Sequence, residues 1–230
     1  MANNYVMVVD LQHCTGCGAC MIACKNENNV QEGFYWCNNQ IEMEGEFPEI
    51  TYIYKPTFCN HCDEAPCVEA CPVDPRAVFK DPGTNLTLMD ANRCIGCRNC
   101  ENHCPYDVIS YNSEAAHRFW RDEKGQEMVQ TVGGEVIPYY NPNRARTWDG
   151  IRREGVVEKC SFCDHRLAEG LKPYCVESCP AQALFFGDLD DPGSRVSQLL
   201  DQYEATRLQE DLGTEPRVYY IREFTRLKNS

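Results

Sequence analysis

Residues 94–105 read Cys94-Ile95-Gly96-Cys97-Arg98-Asn99-Cys100-Glu101-Asn102-His103-Cys104-Pro105. This is the run C-x2-C-x2-C-x3-C-P, a spacing that holds cubane iron–sulfur clusters. Loop thiolates so spaced converge on three corners of a cube, and the fourth starts a helix toward a neighbouring cube. Outward from this run lie three more quartets: Cys14, Cys17, Cys20 and Cys24; Cys59, Cys62, Cys67 and Cys71; and Cys160, Cys163, Cys175 and Cys179. Sixteen of the seventeen cysteines are thereby used, and at four per cluster they suit four [4Fe–4S] centres with no ligand position empty. A chain needs several centres when it must move electrons over a distance.

Two other chemistries use closely spaced cysteines. C-x2-C pairs also bind zinc, and two such pairs make a closed tetrahedral site. Three cysteines at successive x2 spacing, with a fourth three residues later, fit that geometry poorly. Cysteine at about 7% of the chain also approaches the level of disulfide scaffolds. Those are usually shorter and lack repeated C-x2-C-x2-C blocks. Iron–sulfur clusters are therefore expected, with no zinc.

Apolar residues make up 43% of the chain, and about 36% once the cysteines are removed, which is low for 230 residues. The clusters must then form much of the interior and supply folding free energy, so no stable fold is expected without iron. The formal charge of −13 excludes a basic nucleic-acid surface and fits either plain solubility or a negative docking face. Apolar stretches such as 5–9 and 183–186 fall far below the roughly 18–20 residues of a membrane span. Met1-Ala2-Asn3-Asn4 shows no basic region before an apolar core, so no signal peptide is expected.

In two-cluster ferredoxins the fourth cysteine of each run serves the other cluster, so the quartets must work in pairs. The expected fold is α+β, with two nested bacterial-ferredoxin-like modules forming a pseudo-repeat of short strands and helices around four clusters. Residues 55–112 form the inserted inner module, and 1–54 plus 159–190 the outer one. Residues 113–158, with Phe119, Trp120, Tyr139, Tyr140 and Trp148, read as a long docking loop. A helix, strand and tail fill 191–230.

Strands are expected at 5–9, 51–54 and 218–221, which are rich in β-branched and aromatic residues. Short helical turns should follow Cys20, Cys67, Cys100 and Cys175. Val196, Leu199, Leu200 and Tyr203 recur at helical spacing, as a core-packing stripe on a helix closed by Gly213. His13, His61, His103 and His165 each lie within two residues of a cysteine of a quartet. With every ligand position filled, they are expected to hydrogen-bond sulfur or backbone. Cys37 belongs to no quartet and reads as a buried thiol.

Two quartets carry longer phrases, C-N-H-C-D-E-A-P-C-V-E-A-C-P at 59–72 and C-S-F-C-x11-C-V-E-S-C-P at 160–180. With the order of the runs, they resemble the four-cluster electron-transfer subunits of the dimethyl sulfoxide reductase family of molybdopterin oxidoreductases. That family includes polysulfide, tetrathionate and thiosulfate reductases. V-D-L-Q-H-C-T-G-C-G-A-C at 9–20, F-P-E-I-T-Y-I-Y-K-P-T-F-C at 47–59, K-C-S-F-C-D-H-R-L at 159–167 and G-D-L-D-D-P-G-S-R-V-S-Q-L at 187–199 resemble its respiratory arsenate reductase branch. G-T-E-P-R-V-Y-Y at 213–220 is also similar to the small subunit of pyrogallol–phloroglucinol transhydroxylase.

The resemblance implies a relay. The cluster of Cys14, Cys17, Cys20 and Cys179 would lie nearest the catalytic subunit, then that of Cys24, Cys160, Cys163 and Cys175. Next would come Cys71, Cys94, Cys97 and Cys100, and last Cys59, Cys62, Cys67 and Cys104. Single electrons would pass between a quinol-linked donor, such as a membrane quinol-oxidising subunit or a cytochrome, and a molybdopterin (bis-guanine-dinucleotide) catalytic subunit acting on arsenate or arsenite. Polysulfide, thiosulfate or tetrathionate reduction, an aromatic transhydroxylation, or a free-standing polyferredoxin are the alternatives. The chain shows no nucleophile–base pair and no glycine loop for a nucleotide, so it is read as non-catalytic. Export to the periplasm with a catalytic subunit is expected, with a cytoplasmic setting as the alternative.

Overall fold

Strand β1, Tyr5–Asp10, carries Val6, Met7, Val8 and Val9, all fully buried. Such a β-branched run, covered on both faces, belongs in the middle of a sheet. It pairs in parallel with β10, Val218–Ile221, and antiparallel with β8, Leu184–Asp188; β9, Ala205–Thr206, completes the order β8-β1-β10-β9. The computed structural model describes residues 3–113, 123–133, 141 and 153–223. Most of the 113–158 segment, including all five aromatics named above, lies outside the described residues.

Three two-stranded ribbons accompany this sheet: β2, Cys37–Glu44, with β3, Thr51–Phe58; β4, Val78–Lys80, with β5, Thr87–Met89; and β6, Ile109–Asn112, with β7, Val156–Lys159. The helices are short. Ala19–Glu27, Pro66–Glu69, Asn99–Asn102 and Tyr174–Glu177 each begin one residue before Cys20, Cys67, Cys100 and Cys175. The helical turns thus enclose these cysteines, where the spacing alone suggested that they would follow them.

The C-terminal helix spans Arg195–Gln202, capped by Ser194, whose side chain accepts from the Ser197 N–H. Val196 and Leu199 bury themselves against Val6, Val8 and Ile221, with Leu200 and Tyr203 at the edge. The stripe packs as its spacing predicts. The helix ends at Tyr203, however, because residues 205–206 pair with β10, and Gly213 closes the separate 3-10 turn Glu210–Leu212.

Two further cores gather cysteines among apolar side chains. One gathers Cys20, Cys24, Cys37, Cys59, Cys160 and Cys175 around Leu11, Trp36, Phe58 and Phe162. The other gathers Cys62, Cys67 and Cys100, with Cys71, Cys94 and Cys104 at its margin, around Val78, Ile109 and Val157. Among the described residues no helix is long and apolar enough to cross a membrane.

Candidate metal centres

The same local turn recurs in all four quartets. Two residues after the first cysteine, the backbone takes a positive φ: Gly16 at 66°, His61 at 47°, Gly96 at 70° and Phe162 at 53°. That conformation turns the residue's N–H back onto the first sulfur. His61 N donates to Cys59 Sγ at 3.5 Å, Gly96 N to Cys94 Sγ at 3.5 Å and Phe162 N to Cys160 Sγ at 3.4 Å. The Gly16 N–H stabilises the Cys14 thiolate in the same way, against the larger effect of burial, which raises its pKa. Amide donors aimed at sulfur are among the means by which a protein sets a cluster's potential.

At Gly96 the turn requires glycine. An L side chain at positive φ costs about 1–2 kcal/mol, and a Cβ here would fall inside the van der Waals envelope of the Gly155 carbonyl oxygen. Gly96→Ala should therefore lower the melting temperature and bleach the centre nearest Cys94 first. Thermal unfolding followed by visible absorption checks this; an unchanged melt would show that the turn tolerates a side chain.

Proximity among the sulfurs crosses between runs. Cys14 feels Cys20, Cys179 and Cys17. Cys160 feels Cys24, Cys163 and Cys175, and Asn28 Nδ2 lies 3.6 Å from Cys24 Sγ and 3.8 Å from Cys163 Sγ. Cys67 feels Cys59, Cys104 and Cys62, while Cys100 feels Cys94, Cys71 and Cys97. Burial, then mutual repulsion, pushes Cys62 up to about 11 and Cys67 up to about 12, and burial above all pushes Cys100 up to about 11. Such buried thiols ionise together only around a cationic core.

The donor set fits a cubane. Cys59, Cys62, Cys67 and Cys104 line one cavity with Ala65 and Ile109, and with the solvent at its mouth it encloses about 310 Å³ free of atoms. Among the described residues no three His, Cys, Asp or Glu side chains lie close enough to share a single ion. A cubane takes its four cysteines on four separate irons, so they stand around a cavity and do not meet at a point.

The order of the sets differs from the one the resemblance implied. Cys59 lies beside Cys160 and belongs to the same core as Cys24 and Cys175, whereas Cys62 and Cys67 belong to the other core. His61 and Phe162, from the turns of the second and fourth quartets, stack at 4.0 Å between ring centroids. The set of Cys59, Cys62, Cys67 and Cys104 is thus the neighbour of Cys24, Cys160, Cys163 and Cys175. Cys71, Cys94 and Cys100 share that other core with Cys62 and Cys67. Cys17 and Cys97 are the exposed cysteines. Ile22 and Ile95, within the first and third runs, are 63% and 68% exposed.

The histidines serve the backbone and carboxylates. His13 meets Asp10, His103 Nδ1 lies 2.8 Å from Asn99 O, and His165 Nε2 lies 2.7 Å from Glu27 Oε1. Fully buried His61 accepts from Thr87 N at its Nδ1. Burial first, then the charges of Lys159, Lys80 and Arg217, push its pKa well down, so it is neutral. Side-chain donation to sulfur comes instead from Asn28 and from Cys37, whose thiol bonds Cys20, holding Cys20 down at about 7 and keeping itself protonated. Asn28 caps the C-terminus of the helix that carries Cys24, four residues on, but nothing in that spacing alone says that its amide faces two sulfurs.

Family comparison agrees with this chemistry. Residues 50–127 and 120–189 match a 4Fe-4S dicluster domain, and residues 11–32 a 4Fe-4S binding domain. The chain is 48% identical over 227 residues to the arsenate respiratory reductase iron-sulfur subunit of Shewanella sp. (strain ANA-3), covering 95% of this chain and 96% of the relative. It is 34% identical to a selenate reductase subunit of Mesobacillus selenatarsenatis and 34% identical to a tetrathionate reductase subunit of Salmonella typhimurium, each covering 95% of this chain and 72% of the relative.

Proposed function

Because the chain belongs to the family of 4Fe-4S dicluster iron–sulfur subunits that transfer electrons in reductase complexes, we propose that it is the non-catalytic, four-centre relay of a molybdopterin reductase acting on arsenate or arsenite. The centres are held by Cys14, Cys17, Cys20 and Cys179; by Cys24, Cys160, Cys163 and Cys175; by Cys59, Cys62, Cys67 and Cys104; and by Cys71, Cys94, Cys97 and Cys100. They lie in two nested ferredoxin-like modules, and each supplies a one-electron couple. The chain's own residues separate the centres, exclude water from the inner two and direct N–H groups at the sulfurs. What supports this reading is the repeated turn at Gly16, His61, Gly96 and Phe162, together with exposure of Cys17 and Cys97 at the two ends.

The molybdopterin subunit docks at the Cys17 end and a quinol-linked donor at the Cys97 end. The assembly works in the periplasm, exported with the catalytic subunit. The arsenic substrate rests on the 48% identity to the Shewanella subunit. The test is the natively purified complex with reduced viologen dye and each acceptor in turn. Arsenate should drive rapid dye oxidation, and arsenite should be oxidised in reverse. Rapid reaction with tetrathionate or polysulfide, and none with arsenate or arsenite, would overturn the arsenic assignment and leave the relay intact.

A further inference from the structure

Lys159 is a buried cation at the seam between the two interior centres. It ends β7, precedes Cys160 and is 4% exposed. Its ammonium donates to Cys160 O at 3.0 Å and to Thr87 O. Thr87 continues the connection, its N–H donating to His61 Nδ1 at 3.1 Å and its hydroxyl to Cys62 O at 3.4 Å. One side chain thereby ties the fourth quartet's loop to the second quartet's loop. Among the described residues no carboxylate lies within ion-pair distance of it. Its neighbours Lys80 and Arg217, by contrast, both pair with Asp63.

A buried ammonium with only carbonyl partners is costly, because two or three dipoles replace its hydration incompletely. Among the described residues no ion pair compensates it, and the cysteine sets on either side would carry negative charge when they hold iron. Thr87, whose carbonyl accepts from the ammonium, lines the cavity of Cys59, Cys62, Cys67 and Cys104. A cubane with four thiolates is anionic and becomes more so on gaining an electron, so a fixed cation beside it favours the reduced form.

We propose that Lys159 is a positioning residue whose charge is shared by the centres of Cys24, Cys160, Cys163 and Cys175 and of Cys59, Cys62, Cys67 and Cys104. It raises both potentials, so that the middle of the relay is not an uphill step between its ends. This rests on the four-centre reading above. The test is redox titration of the native complex by electron paramagnetic resonance, with iron content measured in parallel. In Lys159→Met the ratio of reduced to oxidised interior centres at fixed potential should fall at least tenfold, 59 mV for a one-electron couple, with both end centres unmoved. Lys159→Arg should keep the native potentials.

Equal shifts at all four centres, no shift with iron intact, or a shift in Lys159→Arg as large as in Lys159→Met would overturn the proposal. If Lys159→Met loses iron, Lys159→Gln keeps a donor for the two carbonyls without the charge. Loss of iron from the interior centres in both neutral variants, with Lys159→Arg fully loaded, would support the counter-charge. Loss in Lys159→Arg as well would overturn it. A native complex with fewer than four centres would instead refute the relay, which separates the two failures.

Discussion

Anaerobic removal of iron should abolish cooperative unfolding altogether. Among the described residues, two of three buried cores gather cysteines, and only the sheet core of Val6, Val8, Val196, Leu199 and Ile221 has buried members that are all aliphatic. Without iron, the cysteines around the cavity of Cys59, Cys62, Cys67 and Cys104 border space that nothing fills, and lining groups around a void lose their contacts outright. Outside that aliphatic core the helices span as few as four residues, as at Pro66–Glu69, Asn99–Asn102 and Tyr174–Glu177, too short to persist alone. Metal binding in such a chain is folding free energy. Calorimetry of holo and chelator-treated protein checks this. A sharp transition in the iron-free chain within a few degrees of the holo midpoint would show that the polypeptide stands without its metal.

Cutting the relay in its interior should nearly eliminate turnover driven by the physiological donor. Cys163 is buried, its sulfur lies 3.8 Å from Asn28 Nδ2, and that same amide lies 3.6 Å from Cys24 Sγ. Outer-shell changes at metal sites cost about 10–100-fold, and loss of a ligand should exceed that. Cys163→Ser and Cys24→Ser should therefore each cut quinol-driven turnover more than about 100-fold and disturb the same resonance, although these cysteines belong to runs far apart in sequence. Dye-driven turnover of the catalytic partner should survive if the dye reaches the molybdenum centre directly. Donor-driven turnover near the native rate, or loss of different resonances in the two variants, would contradict both the path and the pairing.

The parts of this architecture written into local spacing are legible in the sequence. Two residues between the first cysteines of each run force a tight turn, and Gly16 and Gly96 announce it. The β-branched runs of β1 and β10 announce the sheet. What depends on packing is not legible. His61 and Phe162 take the same positive φ without glycine because each is fully buried and they stack on one another. That stack brings Cys59 to Cys160, and no spacing within either run encodes it. The end of the C-terminal helix at Tyr203 is likewise decided by pairing of residues 205–206 with β10, which overrides the glycine signal at Gly213. Lys159 reads as one more charged residue until its burial is seen.

Four cubane centres would use sixteen of the seventeen cysteines and leave Cys37 over. Iron and acid-labile sulfide analysis of the anaerobically purified native complex, with resonance of the fully reduced protein, tests that count most directly. The account predicts about sixteen irons and about sixteen sulfides per chain, with four interacting cubane signals and no zinc. About half that iron, a three-iron signal in undamaged protein, or stoichiometric zinc would contradict it.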